Sequence, residues 1–252
     1  MKNTSRIFLA IAILTLATLA CQALSGGPNT RSTPDVDPVY TSVVENTEVP
    51  TAAPTEDTSN DTSGSLLEDD FSGGRSQWGT GTDADSAVEY VDEALNFQIF
   101  KENYVVWTTP NDTEYQDVHM EVTVINNGTD SNTAFGFMCD KQWPIEESRY
   151  YFAVTANGQY AIAKAALAQN DVFLTNNDEW ADSDLIAKDA DSYHIGADCG
   201  NGKLTLYVDG QEIDSVEDST YTSGRIALFA WSASDATKTD VSFDDFVMIS
   251  LP

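Results

Sequence analysis

The chain has 252 residues, and its 12 Lys plus Arg against 41 Asp plus Glu give a formal net charge of −29. A surface this acidic repels nucleic acid and anionic lipid, so a nucleic-acid partner is excluded and a solvated exterior is expected. Three cysteines, Cys21, Cys139 and Cys199, and two histidines, His119 and His194, bound the thiol and metal chemistry open to it.

The first element is a leader. Lys2 and Arg6 precede "IFLAIAILTLATLA", residues 7–20, a fourteen-residue apolar run without a charge. A spanning helix needs about 20 apolar residues, so the run fits the core of a secretory signal better than a membrane span. Thr18-Leu19-Ala20-Cys21 resembles the lipobox of bacterial lipoproteins, departing from it at Thr18, where Leu is usual. The resemblance implies that residues 1–20 are removed and that Cys21 is lipidated and held at a membrane. An ordinary signal peptide or an uncleaved anchor are the alternatives.

Residues 21–65 then change character. "GGPNTRSTPDVDPVYTSVVENTEVPTAAPTEDTSNDTSGS" is rich in Ser, Thr, Pro and Asp with one aromatic, Tyr40. Such a segment buries too little apolar surface to offset its ordering entropy, and it reads as a disordered stalk. The 44 residues after Cys21 would span roughly 35–40 Å as a flexible coil.

Residues 66–252 are long enough for one domain with a full core, and they read as strands nearly throughout. "ALNFQIF" sets Leu95, Phe97 and Ile99 on one face; "DVHMEVTVI" does the same with Val118, Met120, Val122 and Val124. "YYFAVTANGQYAIA" folds back at Asn157-Gly158, and "YHIGADCGNGKLTLYVDGQEI" gives three strands broken at 200–202 and at Asp209-Gly210. Alternation closed by Asn-Gly or Asp-Gly is the strongest short-range hairpin signal. Only "DEWADSDLIAK" hints at a helix. About a dozen short strands argue an all-β, antiparallel two-sheet sandwich.

Cys139 shares a strand face with Phe135 and Phe137, and Cys199 shares one with Ile195 and Ala197, so both point to the core. In an exported chain two such thiols can pair, and a Cys139–Cys199 disulfide is expected; two unpaired core thiols are the alternative.

The segments "LLEDDFSGGRSQW", "NYVVWTTP", "DSYHIGADCGNGKLTLYVDGQEIDSVED", "SGRIALFAW" and "VSFDDFVMI" resemble the concanavalin A-like lectin/glucanase superfamily, above all its laminin-G-like and 3-keto-disaccharide-hydrolase-like domains on bacterial surface proteins. The resemblance covers residues 66–250. It implies a jelly roll with a sugar or protein ligand on the concave face or its rim, and no catalysis by itself.

Within it, "EIDSVE" resembles the E-I-D-x-x-E strand of laminarinase-type glucanases, with Glu212, Asp214 and Glu217 as the catalytic candidates if a bulge brings them to one face. Retaining hydrolysis requires two carboxyls about 5–5.5 Å apart. Ser215 departs from the motif, and the run follows a hairpin turn directly, so binding is expected ahead of hydrolysis. Neither histidine has partners at metal-ligand spacing, and no zinc site is expected. Calcium is the metal candidate: Asp69 alternates with Leu67 and Phe71, Asp245 with Phe243 and Val247, and with Asp70 these acids could face inward around one ion.

Sugar binding needs aromatic faces beside hydrogen-bonding groups. Trp143 and Trp180 fall in loops and are the candidate platform. Arg149 and Tyr151 alternate opposite to Tyr150 and Phe152, and His119, Glu121 and Tyr207 are expected to join them on one surface, whereas Trp78, Trp107 and Trp231 are expected to fill the core. These readings add up to a monomeric, membrane-anchored or secreted extracytoplasmic lipoprotein that binds glycan or a surface ligand. A glycoside hydrolase and a non-catalytic envelope interaction module are the other readings.

Overall fold

The structure is a computed structural model that describes residues 64–73, 77–145, 147–233 and 235–252. The expected leader, Cys21 and all but the last two residues of the expected stalk lie outside the described residues.

Two antiparallel sheets form the domain. The larger contains β1 (Ser65–Asp69), β2 (Gly81–Thr82), β3 (Ser86–Val91), β4 (Ala94–Ile99), β6 (Val118–Asn126), β12 (Tyr193–Gly200), β13 (Lys203–Val208), β14 (Gln211–Glu217) and β16 (Thr239–Ser250). Its order is β14-β13-β12-β6-β16-β4-β3-β2, with β1 also paired to β16. The smaller contains β5 (Tyr104–Thr108), β7 (Ala134–Lys141), β8 (Arg149–Thr155), β9 (Gln159–Ala165), β10 (Val172–Phe173), β11 (Ala181–Asp182) and β15 (Arg225–Ser232). Its order is β10-β9-β8-β7-β15-β5, with β11 also on β9.

The expected hairpins form where the sequence put them. Asn201 and Gly202 turn β12 into β13 with φ of 54° and 70°, and Asp209 and Gly210 turn β13 into β14 with φ of 50° and 74°. Two successive positive-φ residues match the right-handed twist of the flanking strands, and Asn-Gly and Asp-Gly adopt them at low cost. The helical hint at residues 178–188 is not realised: β11 and a series of turns occupy it. Pairing with the β9 edge outweighs a weak local preference there.

Inward residues of both sheets make one core. Leu95, Phe97, Ile99, Met120, Val122 and Val124 are fully buried from one side, Phe135, Phe137, Tyr150 and Phe152 from the other. Phe97 meets Phe243 edge-on at 5.1 Å, and Trp78 meets Phe246 likewise at 5.1 Å. Each such side chain contributes about 1.5–3 kcal/mol by leaving water. Cys139 on β7 and Cys199 on β12 form the expected disulfide, with Cα atoms 6.5 Å apart. It ties one sheet to the other.

Candidate functional site

The outer face of the smaller sheet is where the outward side chains depart from a solvated surface. Alternation on β5, β15, β7, β8 and β9 turns Val105, Trp107, Ala227, Phe229, Trp231, Ala134, Met138, Tyr151, Ala153 and Ala161 away from the core. They pack into a second apolar cluster, joined by Phe173 and Trp180. Small residues form the floor and rings stand on it. Phe229 meets Tyr151 edge-on at 6.0 Å.

Residues 166–180 leave β9 and cross this face. Trp180 stacks on Trp231 with centroids 6.4 Å apart and planes at 25°, while Phe173 lies 5.8 Å from Trp180. β9 and β15 are separated by β8 and β7, about 14 Å at strand spacing, so the crossing segment reaches over two strands. Trp180 is therefore half-buried within an aromatic array.

A polar rim borders the rings. The Lys141 ammonium lies 3.6 Å from the centroid of the Trp107 ring, a cation–π contact strengthened by desolvation. Tyr151 donates to Asp171 Oδ2 at 3.0 Å, and Arg149 donates to the Glu147 carbonyl at 3.0 Å. Burial raises the Asp171 carboxyl against the pull of Arg149. Burial, and then the Asp171 charge, push the Tyr151 hydroxyl well above the usual phenol range, so it acts as a proton donor in hydrogen bonds and not as an acid. Trp143 stands apart, 57% exposed, with the Arg225 guanidinium 4.3 Å above its ring and Arg225 held by Asp112 at 2.9 Å.

The expected single surface is split between the two sides of the sandwich. Arg149 and Tyr151 lie on the smaller sheet, but His119, Glu121 and Tyr207 belong to β6 and β13 and face outward from the larger one. There His119 Nδ1 lies 2.6 Å from Asp198 Oδ1, and its Nε2 lies 3.2 Å from Glu121 Oε1. His194 Nε2 lies 3.5 Å from Glu121 Oε2, and Tyr207 donates to Asp198 Oδ2 at 2.8 Å. Burial and then that bond to Asp198 push the Tyr207 hydroxyl up to about 12. Strand alternation separates inward from outward residues but does not say to which sheet a strand belongs.

The catalytic candidates do not share a face. A bulge does occur in β14, where the register with β13 shifts between Leu206 and Tyr207. It leaves Glu212 opposite Tyr207 and Glu217 opposite Lys203, both exposed on the outer side. Those positions are four ladder steps apart, ~13 Å along the strand, against the 5–5.5 Å of a retaining pair. Asp214 points the other way and accepts from Tyr160 of the opposite sheet at 3.0 Å.

The calcium candidates are also redirected. A bulge between Asp244 and Val247 turns Asp245 to solvent at φ 52°, and Phe246 takes the inward place. Asp69 Oδ1 accepts from the Phe71 amide at 2.9 Å and Asp70 Oδ1 from the Ser72 amide at 3.0 Å, so both acids close local turns. Asp69 Oδ2 is buried without a partner, yet Asp70 and Asp245 are exposed and do not converge on it. Among the described residues no three His, Cys, Asp or Glu side chains are arranged to hold a metal ion.

Trp107, Phe229 and Trp231, rated as core filler or passed over in the sequence, are the central rings of the outer face. In "SGRIALFAW" the alternation of Phe229 and Trp231 with Leu228 and Ala230 was the available signal. Every residue from Ile226 to Trp231 is apolar, so the outward set could not be told from the inward one.

No protein-family model matches the chain, and no curated protein matches it. Solved structures do. A carbohydrate-binding module, CBM66, from Bacillus subtilis is 15% identical with a TM-score of 0.53, covering 70% of this chain and 98% of that one. A protein of unknown function with a galectin-like fold from Bacillus subtilis is 11% identical with a TM-score of 0.55, covering 74% and 96%. The beta-glucanase of Bacillus licheniformis is 13% identical with a TM-score of 0.53, covering 76% and 100%. The domain is a concanavalin A-like β-sandwich of the jelly-roll type.

Proposed function

We propose that this chain is an extracytoplasmic surface lipoprotein whose sandwich binds glycan through the outer face of the smaller sheet. The observation that carries the reading is the aromatic array on that face, with Trp107, Tyr151, Phe173, Trp180 and Trp231 each only partly buried. An antiparallel sheet normally presents polar side chains to water on the side away from its core, and a contiguous exposed apolar patch marks an interaction site. Ring faces meet the apolar side of a sugar, while Tyr151 and Asp171, partly buried beside them, stand where hydroxyls would need partners.

Two of the similar structures are named for carbohydrate partners, a carbohydrate-binding module and a beta-glucanase, which supports a glycan over a protein ligand. Binding is preferred to hydrolysis because Glu212 and Glu217 lie on the other sheet and too far apart for a retaining pair. In this reading the chain is exported, Cys21 carries the lipid, and the stalk holds the domain away from the membrane.

A glycan array probed with the full chain tests it. Binding to at least one polysaccharide class is expected, with at least a ten-fold loss on Trp231→Ala and on Trp107→Ala and no release of reducing ends. Silence on the array, or binding indifferent to both substitutions, sinks the proposal and favours an envelope interaction module. Mass spectrometry of the mature N-terminus checks the anchor separately: a diacylglyceryl group on Cys21 is expected.

A further inference from the structure

Beside the disulfide, away from the aromatic array, the sandwich holds a cavity of about 220 Å³. Asp117, Asp140, Tyr150, Asn201, Asp218 and Tyr221 are among the residues that line it. Asp117 precedes β6, Asp140 follows Cys139 on β7, and Asn201 sits in the turn after Cys199.

The three acids are in different situations. Asp218 takes the Lys164 ammonium at 2.7 Å, the Tyr150 hydroxyl and the Thr220 amide, so its charge is met within the protein. Asp117 Oδ1 accepts from the Asn201 amide at 2.6 Å. Asp140 is only 6% exposed, and among the described residues no donor reaches its carboxyl; burial first, and then the Asp117 charge, raise it to about 7.

The backbone closes tightly around these two. A Cβ on Gly200 would lie 2.4 Å from Asp117 Cα, and one on Gly224 would lie 2.3 Å from the Asp140 carbonyl carbon. Only glycine lets the neighbouring segments approach so closely. A carboxyl held in that setting without a donor calls for a positive partner or a proton.

Ligand number and space decide between kinds of cation. Calcium needs several converging oxygen ligands, and among the described residues no three His, Cys, Asp or Glu side chains are arranged to hold an ion, whereas this cavity of about 220 Å³ has space for roughly seven waters at ~30 Å³ each. That volume suits a small organic cation. The wall fits one as well, since the rings of Tyr150 and Tyr221 line the cavity with centroids 5.2 Å apart and aromatic faces attract ammonium groups.

We propose that this cavity binds a primary ammonium group, with Asp140 and Asp117 as its counter-charges and the Tyr150–Tyr221 pair as its aromatic wall. Two sources carry that chemistry: an amino sugar with a free amine, and the side chain of a lysine. Lys203, exposed at the edge of the same cavity, opposes such a ligand and sets an upper limit on its affinity.

Calorimetric titration of the full chain at pH 8 with D-glucosamine, N-acetyl-D-glucosamine and Nα-acetyl-lysine methylamide tests the proposal. At least one of the two amines is expected to bind, and the acetylated sugar at least ten-fold more weakly. Whichever amine binds more tightly identifies the source. Asp140→Asn should weaken binding at least five-fold, and Lys203→Glu, a surface change that leaves the core alone, should strengthen it two- to three-fold. Near-UV circular dichroism reports whether Asp140→Asn is folded, and the Lys203→Glu result stands without it.

The proposal is overturned if neither amine binds, if glucosamine and its acetylated form bind alike, or if folded Asp140→Asn binds as well as the parent. Calcium alone saturating the cavity and excluding both amines would also overturn it. Trp107→Ala and Trp231→Ala should leave amine binding unchanged, so this outcome and that of the glycan array are read independently.

Discussion

Asp140 and Asp245 both adopt a left-handed backbone, at φ 48° and 52°, with opposite results. At Asp245 the conformation delivers the carboxylate to water; at Asp140 it leaves the carboxyl buried beside Asp117, with Tyr150, Asp218, Tyr221 and Lys203 lining the same space. An unfolded Asp ionises near 3.9, the folded Asp140 at about 7. Between those values the folded chain keeps a proton that the unfolded chain has released, so this group's contribution is full below pH ~4 and is lost as pH rises to about 7. Asp140→Asn should therefore gain on the parent protein as pH rises from 4.5 to 7 and level off above that, reaching about 1–3 kcal/mol in urea melts at pH 8. An advantage that is constant across that range would remove the buried-charge account. Gly224→Ala should cost about 2–4 kcal/mol in the same melts, because the clashing atoms are the Asp140 carbonyl carbon at 2.3 Å and the Lys141 amide nitrogen at 2.6 Å, and backbone yields little. None of this was visible in the sequence, where alternation assumes regular strands and both aspartates interrupt one.

Individual strands were legible because their alternation is local. Leu95, Phe97 and Ile99 face the core as expected, and the Asn-Gly and Asp-Gly turns stand where the sequence placed them. The partners of each strand were not, because pairing joins residues far apart in the chain. That gap grouped His119, Glu121 and Tyr207 with Arg149 and Tyr151 on one surface, which the structure divides between the two sheets, and it left Trp107 and Trp231 among the filler. It bears on β14 as well, an edge strand of the larger sheet carrying Glu212 and Glu217 outward. Glu212→Gln and Glu217→Gln, singly or together, should leave glycan binding within two-fold of the parent and stability within about 0.5 kcal/mol. A larger loss of binding would move the ligand site to the larger sheet.

For the molecule as a whole, the disulfide is the one long-range contact the sequence made accessible, since both cysteines read as inward-facing and an exported chain would let them pair. It spans a separation of 60 residues, and the chain-entropy model assigns such a loop about 4 kcal/mol. The Cys139→Ala/Cys199→Ala double variant should unfold at a lower urea midpoint by an amount equal to about 3–4 kcal/mol. Thermal melting should be unmoved by EDTA, because Asp69, Asp70 and Asp245 do not converge; a fall in Tm of several degrees would restore a structural calcium.

The position of β16 also governs when the domain can form. Residues 239–250 lie in the interior of the larger sheet, paired with β6 along one edge and with β4 and then β1 along the other. Every strand on either side of it is made earlier. Translation runs at about 5–20 residues per second, so β1 waits roughly 10–40 s for the strand it pairs with. During that interval the larger sheet lacks the strand between β6 and β4, so its two halves cannot yet be joined.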